Sequence, residues 1–349
     1  MLGFAPLAST ALADDIGFAA YDLVADAGSF VATGQDAVFS TSEVIGTGVF
    51  TYTAQDAGLV VTKPADAGSF AATGQDVGFR FDAKVIAQQG TFLIAAQQVT
   101  DSTRKVAGIG QFALEGQTSG LNYPMAADNA SFSITGQVSV FGVTILAGTG
   151  ALALAGQAAN TNTSIVSDSG SFTVIGQDAG LFPVVIVDVD PGIFTLTGQQ
   201  NELTRNYALA VDAGAFTLTF TDTDTATSIK ADTGYFALTG QDAVLNIGET
   251  LNADAGVFAV TGQDINFDVS DNFVAETGIF SLNTETVALK ARFHIIADGG
   301  SFTLQGQDTG FIEAEIIVAE AGIFTLTAGE ATLIPVLTWP AATGTFALA

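Results

Sequence analysis

Apolar residues recur along this chain at even intervals. Sixteen of them sit behind tight turns: Phe30, Phe50, Phe70, Phe92, Phe112, Phe132, Leu152, Phe172, Phe194, Phe216, Phe236, Phe258, Phe280, Phe302, Phe324 and Phe346. Successive anchors are 20 or 22 residues apart and never 21. Side chains of a β-strand alternate faces with period two, so an odd insertion would turn every later apolar residue to the wrong side. The parity therefore predicts a tandem β-repeat.

Within one unit, Phe302 and Leu304 share a face and Thr303 and Gln305 take the other; Phe172/Val174, Phe194/Leu196, Phe216/Leu218 and Phe324/Leu326 repeat the pattern. That is a half-buried strand. A second apolar set starts nine residues after each anchor, as at Phe39, Leu59, Phe79, Leu181, Leu289 and Phe311, and continues by twos through Leu289, Ala291, Phe293 and Ile295. Each repeat thus reads as two strands, with the two-residue length difference in the second. Both connections carry turn chemistry. Asp and Gly precede the anchors, as in Ala25-Asp-Ala-Gly28 and Ala231-Asp-Thr-Gly234, and Gly-Gln-Asp follows them, as at Gly34, Gly74, Gly176, Gly240 and Gly306. Asp and Gly at a short bend between apolar runs are a hairpin signal.

The fold class is all-β, a tandem array of 20/22-residue, two-strand repeats, and two arrangements fit it. In an antiparallel meander equivalent residues lie two strands apart, roughly 9.6 Å; in a parallel β-solenoid they stack at roughly 4.8 Å. The turn aspartates Asp26, Asp66, Asp128, Asp168, Asp190, Asp212, Asp232, Asp254 and Asp298 would repel one another if stacked, and few basic residues are present to offset them. Charge and turn type favour the elongated meander, with the parallel β-solenoid as the alternative; a cation such as Ca²⁺ at each turn would reverse that preference. A meander with one apolar face must cover it. Self-association is expected, a homo-oligomer for which three chains around a common axis is the simplest form. The regular array spans 30–349 without a linker, and the irregular 1–29 is the candidate docking segment.

Composition narrows the function. The 349 residues carry 36 acidic and 9 basic side chains, a formal net charge of −27, which disfavours nucleic acid because phosphate binding needs Lys and Arg. With 48% hydrophobic residues and 27 Phe the chain has the means to build a core. It has no cysteine, so disulfides, thiolate metal sites and cysteine nucleophiles are out. No segment approaches the ~20 apolar residues of a membrane helix. The start, ending in Ala11-Leu-Ala13, lacks a basic n-region and is interrupted by Pro6, so it reads poorly as a signal peptide.

No residue set stands out as a catalytic, cofactor or metal site, and the chain reads as a non-enzyme. His294 is the single histidine, and its neighbours Phe293 and Ile295 on the apolar face would leave it pointing outward. Asp188/Asp190 and Asp222/Asp224 could offer oxygen ligands to Ca²⁺, but neither fits a known calcium loop and both read as turn formers. Gln35, Gln75, Gln117, Gln137, Gln157, Gln177, Gln199, Gln241, Gln263 and Gln307 would form a ladder. The pairs Thr51/Thr53, Thr195/Thr197, Thr217/Thr219 and Thr325/Thr327 are explained by β-propensity rather than by ice binding. Trp339, the sole tryptophan, does not make a sugar platform by itself.

The units Gly170-Ser-Phe-Thr-Val-Ile-Gly-Gln-Asp-Ala-Gly180 and Asp298-Gly-Gly-Ser-Phe-Thr-Leu-Gln-Gly-Gln-Asp308 resemble a repeat of tailed-bacteriophage and prophage proteins, whose consensus runs close to Gly-Ser-Phe-Thr-Leu-Thr-Gly-Gln-Asp-Ala. The opening Leu2-Gly-Phe-Ala-Pro-Leu7 is similar to the starts of such proteins. The resemblance implies a virion structural component, a fibre or surface appendage of head or tail, made in the host cytoplasm and residing in the virion. It carries over no catalytic residues, and the irregular 1–29 ahead of the regular register is the segment expected to dock on other virion proteins. A host- or surface-binding adhesin is the alternative. Ala95-Ala-Gln-Gln98, Thr219-Phe-Thr-Asp222 and Asn283-Thr-Glu285 depart from the repeat.

Overall fold

Parallel pairing decides the architecture. In the computed structural model each anchor strand pairs in parallel with its equivalent one repeat on: Phe112 lies opposite Phe132, Phe172 opposite Phe194, and Phe258 opposite Phe280. The structure describes residues 19–21, 29–41, 49–61, 68–79, 85–87, 91–101, 105–107, 111–121, 125–127, 131–141, 145–147, 149–161, 165–167, 169–181, 186–189, 191–211, 213–231, 233–247, 251–253, 255–269, 272–291, 294–297, 299–312, 316–318, 321–334 and 345–348. These contain strands and turns and no helix. The chain divides into two compact units, Met1–Ala159 and Asn160–Ala349. Each is a parallel β-solenoid in which one repeat makes one coil. The antiparallel meander is thereby corrected.

Two further corrections follow from the coil. It holds three strand segments rather than two: in one, Ser131–Thr135, Val138–Phe141 and Ile145–Ala147. Each pairs with its own counterpart in the preceding coil, through Ser131↔Gln111, Val138↔Thr118 and Ile145↔Met125. Elsewhere the first two segments run together, as in Val257–Val269. The second correction concerns the apolar face. The described anchors from Phe70 to Phe324 turn into the coil's own interior, so they do not form the open apolar face from which three chains around an axis were inferred.

The even parity has a direct structural counterpart. Leu203 pairs with Thr225 but Tyr207 with Thr227, so the longer coil absorbs two extra residues between those points and the alternation resumes in phase. The candidate docking segment contains one described strand, Ala19–Tyr21, paired in parallel with Phe39–Thr41; residues 1–18 lie outside the described ones. At the other end Thr345–Leu348 pairs with Ile323–Leu326.

The core is a column of like residues. Phe172, Phe194, Phe216, Phe236, Phe258, Phe280, Phe302 and Phe324 are all buried in the second unit, each alternating with a buried Val or Leu two residues on. Their rings stack with centroids 4.6–5.1 Å apart, from 5.1 Å for Phe172–Phe194 to 4.6 Å for Phe194–Phe216 and 5.1 Å for Phe302–Phe324. From Phe194 onward the rings are within about 5° of parallel, offset stacking being a preferred aromatic geometry. In the first unit Phe70, Phe92 and Phe112 stack likewise, but Phe132 tilts 39° from Phe112. Phe132 is opposite Leu152 on its other side, so an aliphatic neighbour replaces the next ring there.

Hydrogen bonding continues around the corners. At the Gly-Gln bend, Gln137 N–H donates to Gln117 O at 2.9 Å and Gln157 N–H to Gln137 O at 2.8 Å. At the bend before the anchors, Val257 N–H donates to Gly234 O and Ile279 N–H to Gly256 O, both 2.9 Å. The bends therefore satisfy backbone groups in the same coil-to-coil direction as the strands.

Close coil stacking explains the corner glycine. A Cβ on Gly136 would come within 2.6 Å of the Gly116 carbonyl oxygen, and one on Gly156 within 2.8 Å of that of Gly136. Phe220, which departs from the repeat at this corner, is 5% exposed and is accommodated by its neighbour. The space where a Gly240 Cβ would stand is occupied by the edge of the Phe220 ring. Thr284, in register with Gly262, also takes a corner; it is buried and its hydroxyl has no partner, which costs about 1–3 kcal/mol.

Two stability outcomes are expected. Phe258→Ala removes one ring from the column and should cost about 3–5 kcal/mol, read by denaturant melts. Gly240→Ala should cost about 1–3 kcal/mol through overpacking against Phe220, and markedly less in a Phe220→Ala background. Equal costs in the two backgrounds would refute the contact.

Candidate interaction face

The first strand segment of each coil has an inner side and an outer side. Inside are the anchor and the residue two further on; outside are the residues one before, one after and three after the anchor. In Ser131–Thr135 this gives Phe132 and Ile134 buried, Ser131 and Ser133 half-buried and Thr135 exposed. Because coils stack in register, each outer position forms a column with a rise of roughly 4.8 Å per coil.

In the second unit these three columns hold 24 residues from Ser171 to Thr327, and none is charged. Ten are threonine. Five are the exposed aliphatic or aromatic residues Ile175, Ile193, Tyr235, Ile279 and Ile323, each 45–52% exposed. In the first unit the corresponding columns from Ser29 to Ala155 carry one charge, Glu115. Thr53 and Thr73 hydroxyls of successive coils there hydrogen-bond at 3.0 Å. A chain of net charge −27 thus keeps one face of its coils almost free of carboxylates.

Two sets of aspartates in register begin just past the corner. Asp36, Asp56 and Asp76 are in register in the first unit, and Asp222, Asp242 and Asp264 in the second. Asp242 and Asp264 are exposed, and the Asp264 carboxylate accepts a hydrogen bond from the Thr286 hydroxyl one coil on. Stacked aspartates therefore do occur, against the repulsion argument that favoured a meander. Two exposed charges ~5 Å apart in water repel by only about 0.8 kcal/mol before salt screening. Burying a Phe contributes about 1.5–3 kcal/mol, and each coil adds many ladder hydrogen bonds at roughly 1 kcal/mol net.

The individually marked residues fall as follows. His294 lies in the strand His294–Ala297, in register between Asn272 and Ile316; its side chain is outside the described ones. Asp188 is in the strand Ile186–Val189, between Val166 and Ala210, while Asp190 is outside the described residues. Asp222 and Asp224 belong to the strand Asp222–Ala231, not to a turn, because the corner is completed one residue earlier, at Thr221. The turn aspartates Asp26, Asp66, Asp128, Asp168, Asp190, Asp212, Asp232, Asp254 and Asp298, and Trp339, also lie outside the described residues. Among the described residues no group of three His, Asp or Glu is placed to hold a metal ion.

The glutamine ladder is present and is a backbone feature. Gln75, Gln117, Gln137, Gln157, Gln177, Gln199, Gln241, Gln263 and Gln307 have exposed side chains, and stacking there runs through N–H and C=O groups such as Gln199 to Gln177 and Gln263 to Gln241. The side chain of Gln35 is outside the described ones. The threonine pairs Thr195/Thr197, Thr217/Thr219 and Thr325/Thr327 all lie on the uncharged face, half-buried or exposed.

No family model matches this chain, and no curated protein or solved structure is similar to it. No helix among the described residues is long and apolar enough to cross a membrane.

The in-register acids set a salt dependence. Asp242→Asn should raise the melting temperature at low ionic strength, and the gain should shrink as sodium chloride approaches ~1 M, where the Debye length falls to about 3 Å. A gain that salt does not alter would place its origin elsewhere than in carboxylate repulsion.

Proposed function

We propose that this chain is a bacteriophage virion structural protein, a fibre or surface appendage of head or tail, that acts mechanically and not as an enzyme. The observation that carries the reading is the coil-to-coil bonding in each unit. The coil of residues 131–147 is tied to the one before it through three strand segments and the Gly-Gln corner, and in the second unit a ring column runs from Phe172 to Phe324. Load applied to such a stack is shared among many parallel backbone bonds, a property suited to a scaffold. The resemblance of Gly170–Gly180 and Asp298–Asp308 to tailed-phage repeats supplies the setting: virion residence, with docking to other virion proteins through 1–29.

The acidic surface supports the same reading in a negative sense. Exposed carboxylates such as those of Asp242 and Asp264 repel packaged nucleic acid rather than bind it. The adhesin alternative draws on the exposed Ile/Thr face, which would present a repetitive contact surface to a host. Mass spectrometry and antibody labelling of gradient-purified particles discriminate these outcomes. The chain should co-purify at fixed copy number and label particles at one location. Recovery only in the soluble lysate would overturn the assignment.

A further inference from the structure

The uncharged face of the second unit has an order in its columns. Consider the outer residues that precede the eight anchors from Phe172 to Phe324, beyond which Thr345 extends the column by one strand. In stacking order they alternate in size: Ser171, Ile193, Ala215, Tyr235, then Val257, Ile279, Ser301, Ile323. Turn a second copy over, about an axis parallel to the strands that passes between the Phe236 and Phe258 coils. Each column then faces itself in reverse. Ser171 meets Ile323 and Ile193 meets Ser301; Ala215 meets Ile279 and Tyr235 meets Val257. At every coil the larger side chain is opposed by a smaller one, with all eight coils overlapping.

The other two columns obey the same two-fold. In the column after the anchors the two central coils place Ala237 against Ala259, allowing close approach at the axis, and the flanking coils place Thr195 against Thr303. In the third column Thr239 faces Thr261 and Thr197 faces Gln305, pairs that can hydrogen-bond. We propose that this face is a homodimer interface, in which the outer sheet of the second unit packs on the same sheet of a second copy in antiparallel stacking order.

Charge permits that occupant. The face is free of charge over 24 positions, and the exposed Asp242 and Asp264 stand at its rim, on the same edge in both copies, where salt screens their repulsion. Size is consistent with a reversible dimer. Eight coils at ~4.8 Å by five residues at ~3.3 Å give roughly 600 Å² per copy, or about 1,200 Å² in total. That is the lower edge of the class of specific, stable interfaces. Sheets packed face to face within about 30° of alignment, ~10 Å apart, are an established packing mode. The self-complementary patch is what an isologous two-fold requires. The two-fold differs from the three-fold arrangement expected of a one-sided meander, since the described anchors from Phe70 to Phe324 are buried within the coils. The interface goes beyond the virion assignment and stands or falls separately from it.

The test uses the full chain in sedimentation velocity across a concentration series. Wild type should move from monomer to dimer in the micromolar range. Ile279→Glu, on an exposed face position, should weaken dimerisation at least about a hundredfold by burying a carboxylate against its partner, with an unchanged melting temperature for the monomer. Gln263→Glu, an equal charge at the corner, should leave the dimer intact. Because the chain has no cysteine, register can be read by mixing Ile193→Cys with Ser301→Cys chains and adding a short bis-maleimide. The mixture should cross-link far more than either chain alone. A monomer at all concentrations, a trimeric mass, a dimer indifferent to Ile279→Glu, or equal cross-linking in the three samples would each overturn the proposal.

Discussion

Everything in this molecule follows from stacking each coil on the next in register, at the ~4.8 Å spacing of parallel strands. That spacing places Phe258 over Phe236 with ring centroids 4.8 Å apart, so the aromatic column and the backbone ladder share one repeat length. Neither has to stretch to satisfy the other. It also forces the corner carbonyls together, and this is why Gly136 and Gly156 cannot carry a Cβ without meeting the oxygen of the preceding coil. Where the rule is broken, the break is absorbed locally, as Phe220 is by the bare backbone of Gly240.

Much of this was legible in the amino-acid sequence. Even spacing implies strands, and the shift between Leu203 and Tyr207 shows the two-residue allowance working as parity demands. The inward pairs such as Phe172/Val174 were readable from alternation alone. The strand direction was not. Period-two alternation is the same in a meander and a solenoid, and the deciding argument used charge, the weaker term at an exposed surface. The third strand segment escaped for a different reason. Its connection has no common punctuation: Ser102-Thr-Arg104, Asn122-Tyr-Pro124, Gly142-Val-Thr144 and Asn162-Thr-Ser164 share no turn residue. An apolar pattern that continues through such stretches looks unbroken in the sequence.

The outer face was hidden in another way. Thr195/Thr197 and Thr325/Thr327 were visible as pairs, and β-propensity accounted for them one strand at a time. Their meaning as part of a charge-free surface appears only when the coils are laid side by side and the acids are seen around the corner at Asp242 and Asp264. A linear reading does not show that Asp222, Asp242 and Asp264 share one register position; the coil does.

Like-on-like stacking has a consequence for how such a chain can change. Removing one whole coil, for example the twenty-two residues from one anchor to the next, would leave Phe facing Phe, a corner facing a corner and acid facing acid. The two new neighbours would be nearly as well matched as the old ones. Unequal exchange between repeats during replication can therefore lengthen or shorten the array in whole-coil steps, each intermediate still folding. Pairs such as Phe220 with Gly240 act against this freedom, since a cut between them would strand a bulky ring beside an unprepared neighbour. Such irregular coils mark the places where the length of the chain is least free to drift.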